Sequence, residues 1–206
     1  MDELKLEVFS LGNLCTNSYL VFDPTQKKGF IVDAPCGVEE VSRFSRQREI
    51  DILFVAITHG HFDHIAGLDS LKYPFSMHPL DVPFLMDERL NGSLYFDELV
   101  TITKKPLLYS NKPIVFGKHT LEIIPTPGHT PGSVSLKLGA WLFSGDAIFC
   151  DAIGRTDIPL ASQKTLLHSI KNRVLTLPGE TLIYPGHGSS TTVAHERDHN
   201  PFLTHV

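Results

Sequence analysis

The segment Thr58-His59-Gly60-His61-Phe62-Asp63-His64 carries the densest chemistry in the chain. His59, His61, Asp63 and His64 follow the pattern H-x-H-x-D-H, and each can donate a lone pair to a metal ion. Directly before them runs Ile52-Leu53-Phe54-Val55-Ala56-Ile57, an apolar stretch that reads as a buried strand. Extended backbone points residues i and i+2 the same way, so His59 and His61 can hold one ion together. A turn beyond them can swing Asp63 and His64 toward a second ion. A histidine-rich surface loop is the plainer alternative, but it suits a lone histidine better than a cluster at a strand end. Polar rings massed there call for a partner, and a divalent cation supplies one.

The same local arrangement recurs along the chain: an apolar run, a small-residue turn, then a ligand type. Leu121-Glu122-Ile123-Ile124 leads through Pro125-Thr126-Pro127-Gly128 to His129. Trp141-Leu142-Phe143 leads through Ser144-Gly145 to Asp146, and Thr181-Leu182-Ile183-Tyr184 leads through Pro185-Gly186 to His187. Alone, an Asp after a strand is an ordinary turn former. The repetition predicts strand ends that present metal ligands at one edge of the fold, where sites in open αβ sheets gather.

The elements that must position these ligands follow from pattern. Leu4 to Leu11, Ser18 to Phe22 and Gly29 to Val32 read as short strands between Gly, Asn and Pro turns, with Asp33 ending the third. Gly37 to Arg48 reads as a helix with Val38, Val41 and Phe44 on one face. After the strand at 52–57 and the ligand loop, a short helix is expected from about Ile65. Residues 73–113 hold Pro74, Pro79, Pro83, Pro106 and Pro113 and are expected to form a helix and loops. Strands are expected near 114–116, 120–124, 133–138, 141–144 and 181–184. Gln163 to Leu175 reads as an amphipathic helix burying Leu166, Leu167, Ile170 and Val174, and a last helix is expected over Thr192 to Asp198. The pattern is mixed α/β, with helices outside two sheets.

A chain of 206 residues suits one domain, 1–206, with a substantial core. Its hydrophobic content of 42% and charged content of 20% are ordinary for a globular protein. A net charge of −5, with no block of Lys or Arg, argues against a nucleic-acid partner. The start Met1-Asp2-Glu3-Leu4-Lys5 lacks the basic and apolar regions of a leader, and no apolar run is long enough to span a membrane. The expectation is a cytoplasmic protein with no membrane partner. Cys15, Cys36 and Cys150 form no C-x-x-C pair and no disulfide framework, so buried free thiols in a reducing compartment are expected. His78, His119, His168, His195, His199 and His205 lack the strand-end context and read as surface, core or helix-end residues.

The spaced set His59-x-His61-x-Asp63-His64, His129, Asp146 and His187 resembles the metallo-β-lactamase-fold hydrolases across nearly the whole chain. The resemblance implies an αββα four-layer sandwich with a two-metal site at one edge. It implies that His59, His61 and His129 hold one ion, that Asp63, His64 and His187 hold the other, and that Asp146 bridges them. The finer motifs are similar to short, single-domain glyoxalase II-like proteins. They are Thr126-Pro127-Gly128-His129-Thr130-Pro131-Gly132-Ser133, Phe143-Ser144-Gly145-Asp146, Gly154-Arg155-Thr156-Asp157, Tyr184-Pro185-Gly186-His187-Gly188, Glu196-Arg197 and Asn200-Pro201-Phe202. Full-length glyoxalase II carries a further C-terminal helical region, which a chain ending at Val206 is expected to lack, and Glu-Tyr where this chain has Gly188-Ser189. β-Lactamases of this fold are commonly secreted, and many put Cys where this chain has Asp146.

The implied reaction is hydrolysis of a glutathione-type thioester such as S-lactoylglutathione. The attacking hydroxide would lie between two divalent ions, expected as zinc, with iron or manganese as alternatives. Asp63 and Asp146 are the candidate catalytic carboxylates. Arg155 is the candidate substrate-binding residue, because its guanidinium can pair with a substrate carboxylate; a structural Arg155–Asp157 ion pair is the competing assignment. Asp33 reads as an acceptor for a ligand histidine or as a strand-end cap. The rival function is a persulfide dioxygenase, whose relatives use one iron on two His and one Asp, matching His59, His129 and Asp146. Those relatives share the Gly-Arg-Thr-Asp stretch and the Lys164-Thr165-Leu166 region; Gly186-His187-Gly188 favours the hydrolase. Lactone hydrolysis is a third option. A non-enzymatic metal-bound module would need a missing ligand, and none is missing.

Overall fold

A computed structural model describes residues 4–110 and 112–203; His205 lies outside them, as do Met1, Asp2 and Glu3. The chain divides into two compact units. One holds the residues up to Met77 with Val82–Leu108, and the other holds His78–Asp81 with the residues from Tyr109 onward.

The first unit is built on a six-stranded sheet of β1 (Lys5–Leu11), β2 (Thr16–Asp23), β3 (Lys28–Val32), β4 (Asp51–Ala56), β5 (Phe75–Met77) and β6 (Leu107–Leu108), in that order. β1 to β3 are antiparallel neighbours, while β3, β4, β5 and β6 run parallel. β2 is paired along both edges, to β1 and β3, and is buried along its whole length. Helix α1 (Glu39–Gln47) makes the crossover from β3 to β4 that a parallel pair needs. Val38 and Val41 enter a core with Ile31, Val55, Ile57, Ile65 and Phe75. β4 is only partly the buried strand expected, since Leu53 is exposed.

The second unit has a six-stranded sheet ordered β14-β13-β10-β9-β8-β7. These strands are β7 (Ile114–Phe116), β8 (His119–Pro125), β9 (Val134–Leu138), β10 (Trp141–Gly145), β13 (Leu182–Pro185) and β14 (Thr191–Thr192). A small hairpin of β11 (Ile148–Phe149) and β12 (Ala152–Ile153) stands apart from that sheet. β10 and β13 are parallel, and β8 is antiparallel to β9, which is antiparallel to β10. The carboxyl ends of β8, β10 and β13 therefore share one sheet edge, and these are the ends that precede His129, Asp146 and His187. Helix α3 (Gln163–Ser169) continues as a π-helical turn, Ile170–Val174, and packs Leu166, Ile170 and Val174 against Leu142 and Ile183.

The structure departs from the sequence reading in several places. The short helix expected from Ile65 is α2, Phe62–Ile65, and it starts inside the ligand motif. The region 73–113 holds β5, β6 and 3-10 turns at Pro79–Leu85 and Ser93–Phe96, with Pro83 inside the first. The amphipathic helix is α-helical only as far as Ser169. The last helix is α4 (Val193–His199), capped by the Thr192 hydroxyl. Among the described residues no helix is long and apolar enough to cross a membrane.

Candidate metal centre

In the first unit, β4 ends at Ala56 and delivers Thr58 and His59. His61 is still extended at ψ 148°, and α2 then begins, placing Asp63 and His64 in its single turn. His59, His61 and His64 are all buried, at 2%, 8% and 0% exposure. Their rings converge: His59 lies 4.9 Å from His61 and 4.1 Å from His64 between centroids. Asp33 organises the group. Its Oδ1 accepts from the Thr58 backbone N–H at 2.8 Å, and its Oδ2 accepts from the Thr58 hydroxyl and from His64 Nδ1, each at 2.8 Å. With Nδ1 committed, His64 leaves Nε2 as the nitrogen able to bind a metal, 3.5 Å from Asp63 Oδ2. The Thr16 hydroxyl donates to that same Asp63 oxygen at 2.8 Å.

In the second unit, His129 Nδ1 donates to the Arg155 backbone carbonyl at 2.9 Å, which again turns Nε2 toward the ligand position. Asp146 Oδ2 lies 3.4 Å from His129 Nε2 and 3.7 Å from His187 Nε2. Gly154 makes this possible: a Cβ there would sit 1.9 Å from the Asp146 carbonyl oxygen and 3.2 Å from His129 Nδ1. Gly128, at φ +138°, likewise brings the turn before His129 against the Leu166 backbone. Buried Asp81 fixes the other side of that turn, accepting from the Thr130 hydroxyl at 2.6 Å and the Gly132 N–H at 2.7 Å.

The spacings test whether a metal fits these residues. Two ligands about 2.1 Å from one ion in tetrahedral geometry lie about 3.4 Å apart. The 3.5 Å between Asp63 and His64, and the 3.4 and 3.7 Å around Asp146, match that value and exceed hydrogen-bond length. A single oxygen of Asp146 faces two imidazole nitrogens. Neutral imidazoles and hard carboxylates suit zinc, iron or manganese. The residues fit such an ion.

Arg155 donates both Nε and a terminal nitrogen to the Asp157 carboxylate, at 2.9 and 3.0 Å, with both side chains largely exposed. The pairing holds the Asp157 carboxyl below its usual range and raises the guanidinium. The Arg155–Asp157 ion pair is therefore formed, and the Arg155 backbone carbonyl has a separate task as the acceptor for His129. Asp33 is both the acceptor for His64 and the anchor of the strand end. Thr16, Thr58, Asp81 and the Arg155 carbonyl escaped the sequence reading, because their contacts join positions far apart in the chain. His78 is partly buried, and that burial lowers its pKa against the pull of Asp81. Cys15, Cys36 and Cys150 are free thiols, but all three are exposed rather than buried as expected: each lies in a turn or loop outside the cores.

Residues 12–187 match the model of the metallo-beta-lactamase superfamily. The "Probable metallo-hydrolase YqgX" of Bacillus subtilis is 35% identical, covering 97% of this chain and 98% of that protein. The human "Persulfide dioxygenase ETHE1, mitochondrial" is 32% identical over 92% of this chain and 72% of its own. Among solved structures, that of the BLEG-1 B3 metallo-beta-lactamase matches with a TM-score of 0.91 and 36% identity, covering 97% of this chain and all of that one, 100%. TTHA1623 in a di-iron-bound form matches with a TM-score of 0.85 and 32% identity, over 96% of this chain and 100% of that one. The mixed α/β fold of two sheets with few helices is the fold of these neighbours.

Proposed function

The chain belongs to the metallo-beta-lactamase superfamily, and from that premise we propose that it is a dinuclear metal-dependent hydrolase of acyl thioesters of the S-lactoylglutathione type, akin to short glyoxalase II-like proteins. In this proposal His59, His61 and His129 hold one ion, Asp63, His64 and His187 hold the other, and Asp146 serves both. Zinc is our assignment, with iron or manganese able to replace it; the similarity to a di-iron-bound neighbour supports a dinuclear centre.

One observation carries the reading. Asp63 and His64 each have a dedicated brace, the Thr16 hydroxyl and the Asp33 carboxylate, and their ligand atoms stand 3.5 Å apart. A mononuclear centre on His59, His129 and Asp146 gives this braced pair no task. A second ion does.

When bound, the ions lower the pKa of water to about 7 and polarise an acyl carbonyl. The chain's own groups do the rest. Asp33 fixes the tautomer of His64, and the Arg155 carbonyl fixes that of His129. In this proposal Asp63, tethered through one oxygen to Thr16, receives a proton and passes it toward the departing thiolate. In this proposal the Arg155 guanidinium, exposed on the loop after β12, exchanges Asp157 for a substrate carboxylate.

A second reading, a mononuclear iron persulfide dioxygenase, draws support from the human relative. Similarity to a B3 β-lactamase adds β-lactams to the substrates worth testing, and lactones remain a third class. A panel of S-lactoylglutathione, a neutral acyl thioester, a β-lactam, a lactone and glutathione persulfide, assayed on metal-loaded protein, separates them. We expect the highest kcat/KM for S-lactoylglutathione. Turnover confined to the persulfide, with oxygen consumed, would replace our reading with the second.

A further inference from the structure

A second cluster of ligand types lies wholly within the second unit. The β11–β12 hairpin turns on Cys150 and Asp151, and α4 carries His195 and Glu196 up to that turn. The donor atoms of Cys150, Asp151, His195 and Glu196 all lie within 4.8 Å of one another. None of these residues is a ligand in the centre proposed above.

The spacing and charge fit a cation. A thiolate at about 2.3 Å and an imidazole or carboxylate at about 2.0–2.1 Å from one tetrahedral ion would stand roughly 3.3–3.6 Å apart. Cys150 Sγ is 3.7 Å from Asp151 Oδ2, and His195 Nε2 is 3.9 Å from Glu196 Oε1. The shorter contact, 2.8 Å between His195 Nε2 and Asp151 Oδ1, is a hydrogen bond whose place an ion would take. Glu196 is fully buried and rigidly held: Thr191 donates to it at 2.6 Å, Asn200 at 2.7 Å and the Asp151 N–H at 3.1 Å. Those partners are neutral. The ion pair the structure gives Glu196 is the long one to His195. Two carboxylates and a thiol thus face one imidazole, and a buried carboxylate calls for a nearby cation.

We propose that Cys150, Asp151 and His195, backed by the carboxylate of Glu196, form a separate binding site for a borderline-soft divalent cation of the zinc class. The mixed S, N and O donor set selects such an ion over magnesium or calcium. The thiol is exposed, so the ion has a route in from solvent. This inference does not depend on the thioester reading.

Cobalt(II) is the probe, because sulfur ligation gives it a near-ultraviolet charge-transfer band that nitrogen and oxygen ligands do not. The full chain, kept reduced with a phosphine, is loaded with excess Co²⁺ and desalted, alongside Cys150→Ser, His195→Ala and Cys36→Ser. We expect wild type and Cys36→Ser to hold one more cobalt per chain than Cys150→Ser and His195→Ala. The charge-transfer band should vanish in Cys150→Ser and persist in Cys36→Ser. Equal cobalt content in all four proteins, or a band that survives in Cys150→Ser, overturns the proposal.

Discussion

Asp33 and His64, separated by thirty-one positions in sequence, meet at 2.8 Å with both side chains almost wholly withdrawn from solvent. The carboxylate accepts from Nδ1, so Nε2 carries the lone pair that can bind a metal. Asp33 adopts a left-handed φ of 58° at this point, just beyond the end of β3. Asp33→Ala should weaken the ion held through His64 by roughly 10- to 100-fold. It should also lower stability by about 1–3 kcal/mol, because the Thr58 N–H loses its acceptor. Metal titration and thermal unfolding of the variant check both effects.

Asp146 and His64 should differ in reach. One oxygen of Asp146 faces both His129 and His187, so Asp146→Ala should deplete both ions and abolish turnover. His64→Ala should deplete one. Elemental analysis of the two variants after identical loading is the measurement. Retention of two tightly bound ions by Asp146→Ala would remove the bridging role.

Gly154→Ala tests a close approach rather than a ligand. The added methyl would stand 1.9 Å from the Asp146 carbonyl oxygen, so the backbone carrying Asp146 and the Arg155 carbonyl must shift. A displacement of about 1 Å at a reacting centre can cost on the order of 100-fold in rate. We expect a loss of that size in kcat, with the first ion bound less tightly. Normal kcat would mean that the hairpin accommodates the methyl without moving the site.

Arg155→Ala separates recognition from structure. The Arg155–Asp157 pair is exposed at 60% and 73%, and such pairs contribute little to stability. The melting temperature should hold, while kcat/KM for a carboxylate-bearing thioester falls roughly 10- to 150-fold, the loss of one charge-assisted hydrogen bond. A neutral thioester should be nearly unaffected. Equal losses on both substrates, together with a lower melting temperature, would assign Arg155 a structural role.

The strand ends that precede His129, Asp146 and His187 were legible because long-range order and local pattern coincide there. β8, β10 and β13 are apolar runs closed by Gly or Pro, and His129, Asp146 and His187 follow within four residues. The first ligand group was legible for the same reason, although α2 begins earlier than its apolar pattern suggests, with Asp63 in its first turn. The region 73–113 was not legible. β5 and β6 are three and two residues long, too short to show a period of two, and β6 is held by pairing with β5 alone. The expected helix there is replaced by 3-10 turns that tolerate Pro83. The braces Thr16 to Asp63 and Asp81 to Thr130 span forty-seven and forty-nine positions, and no local pattern announces such contacts. The Arg155 carbonyl is a main-chain acceptor, which residue type cannot reveal.

The central claim is that this site splits a thioester with water and needs no oxygen. The direct measurement follows S-lactoylglutathione cleavage by metal-loaded protein under strict anaerobiosis, with free thiol and dissolved O₂ recorded together. His59, His129 and Asp146 serve under either mechanism, so their variants cannot decide between them. Our account expects thiol release at the same rate with and without oxygen and no oxygen uptake. Stoichiometric O₂ consumption with glutathione persulfide, and no metal-dependent release of thiol from the thioester, would contradict it.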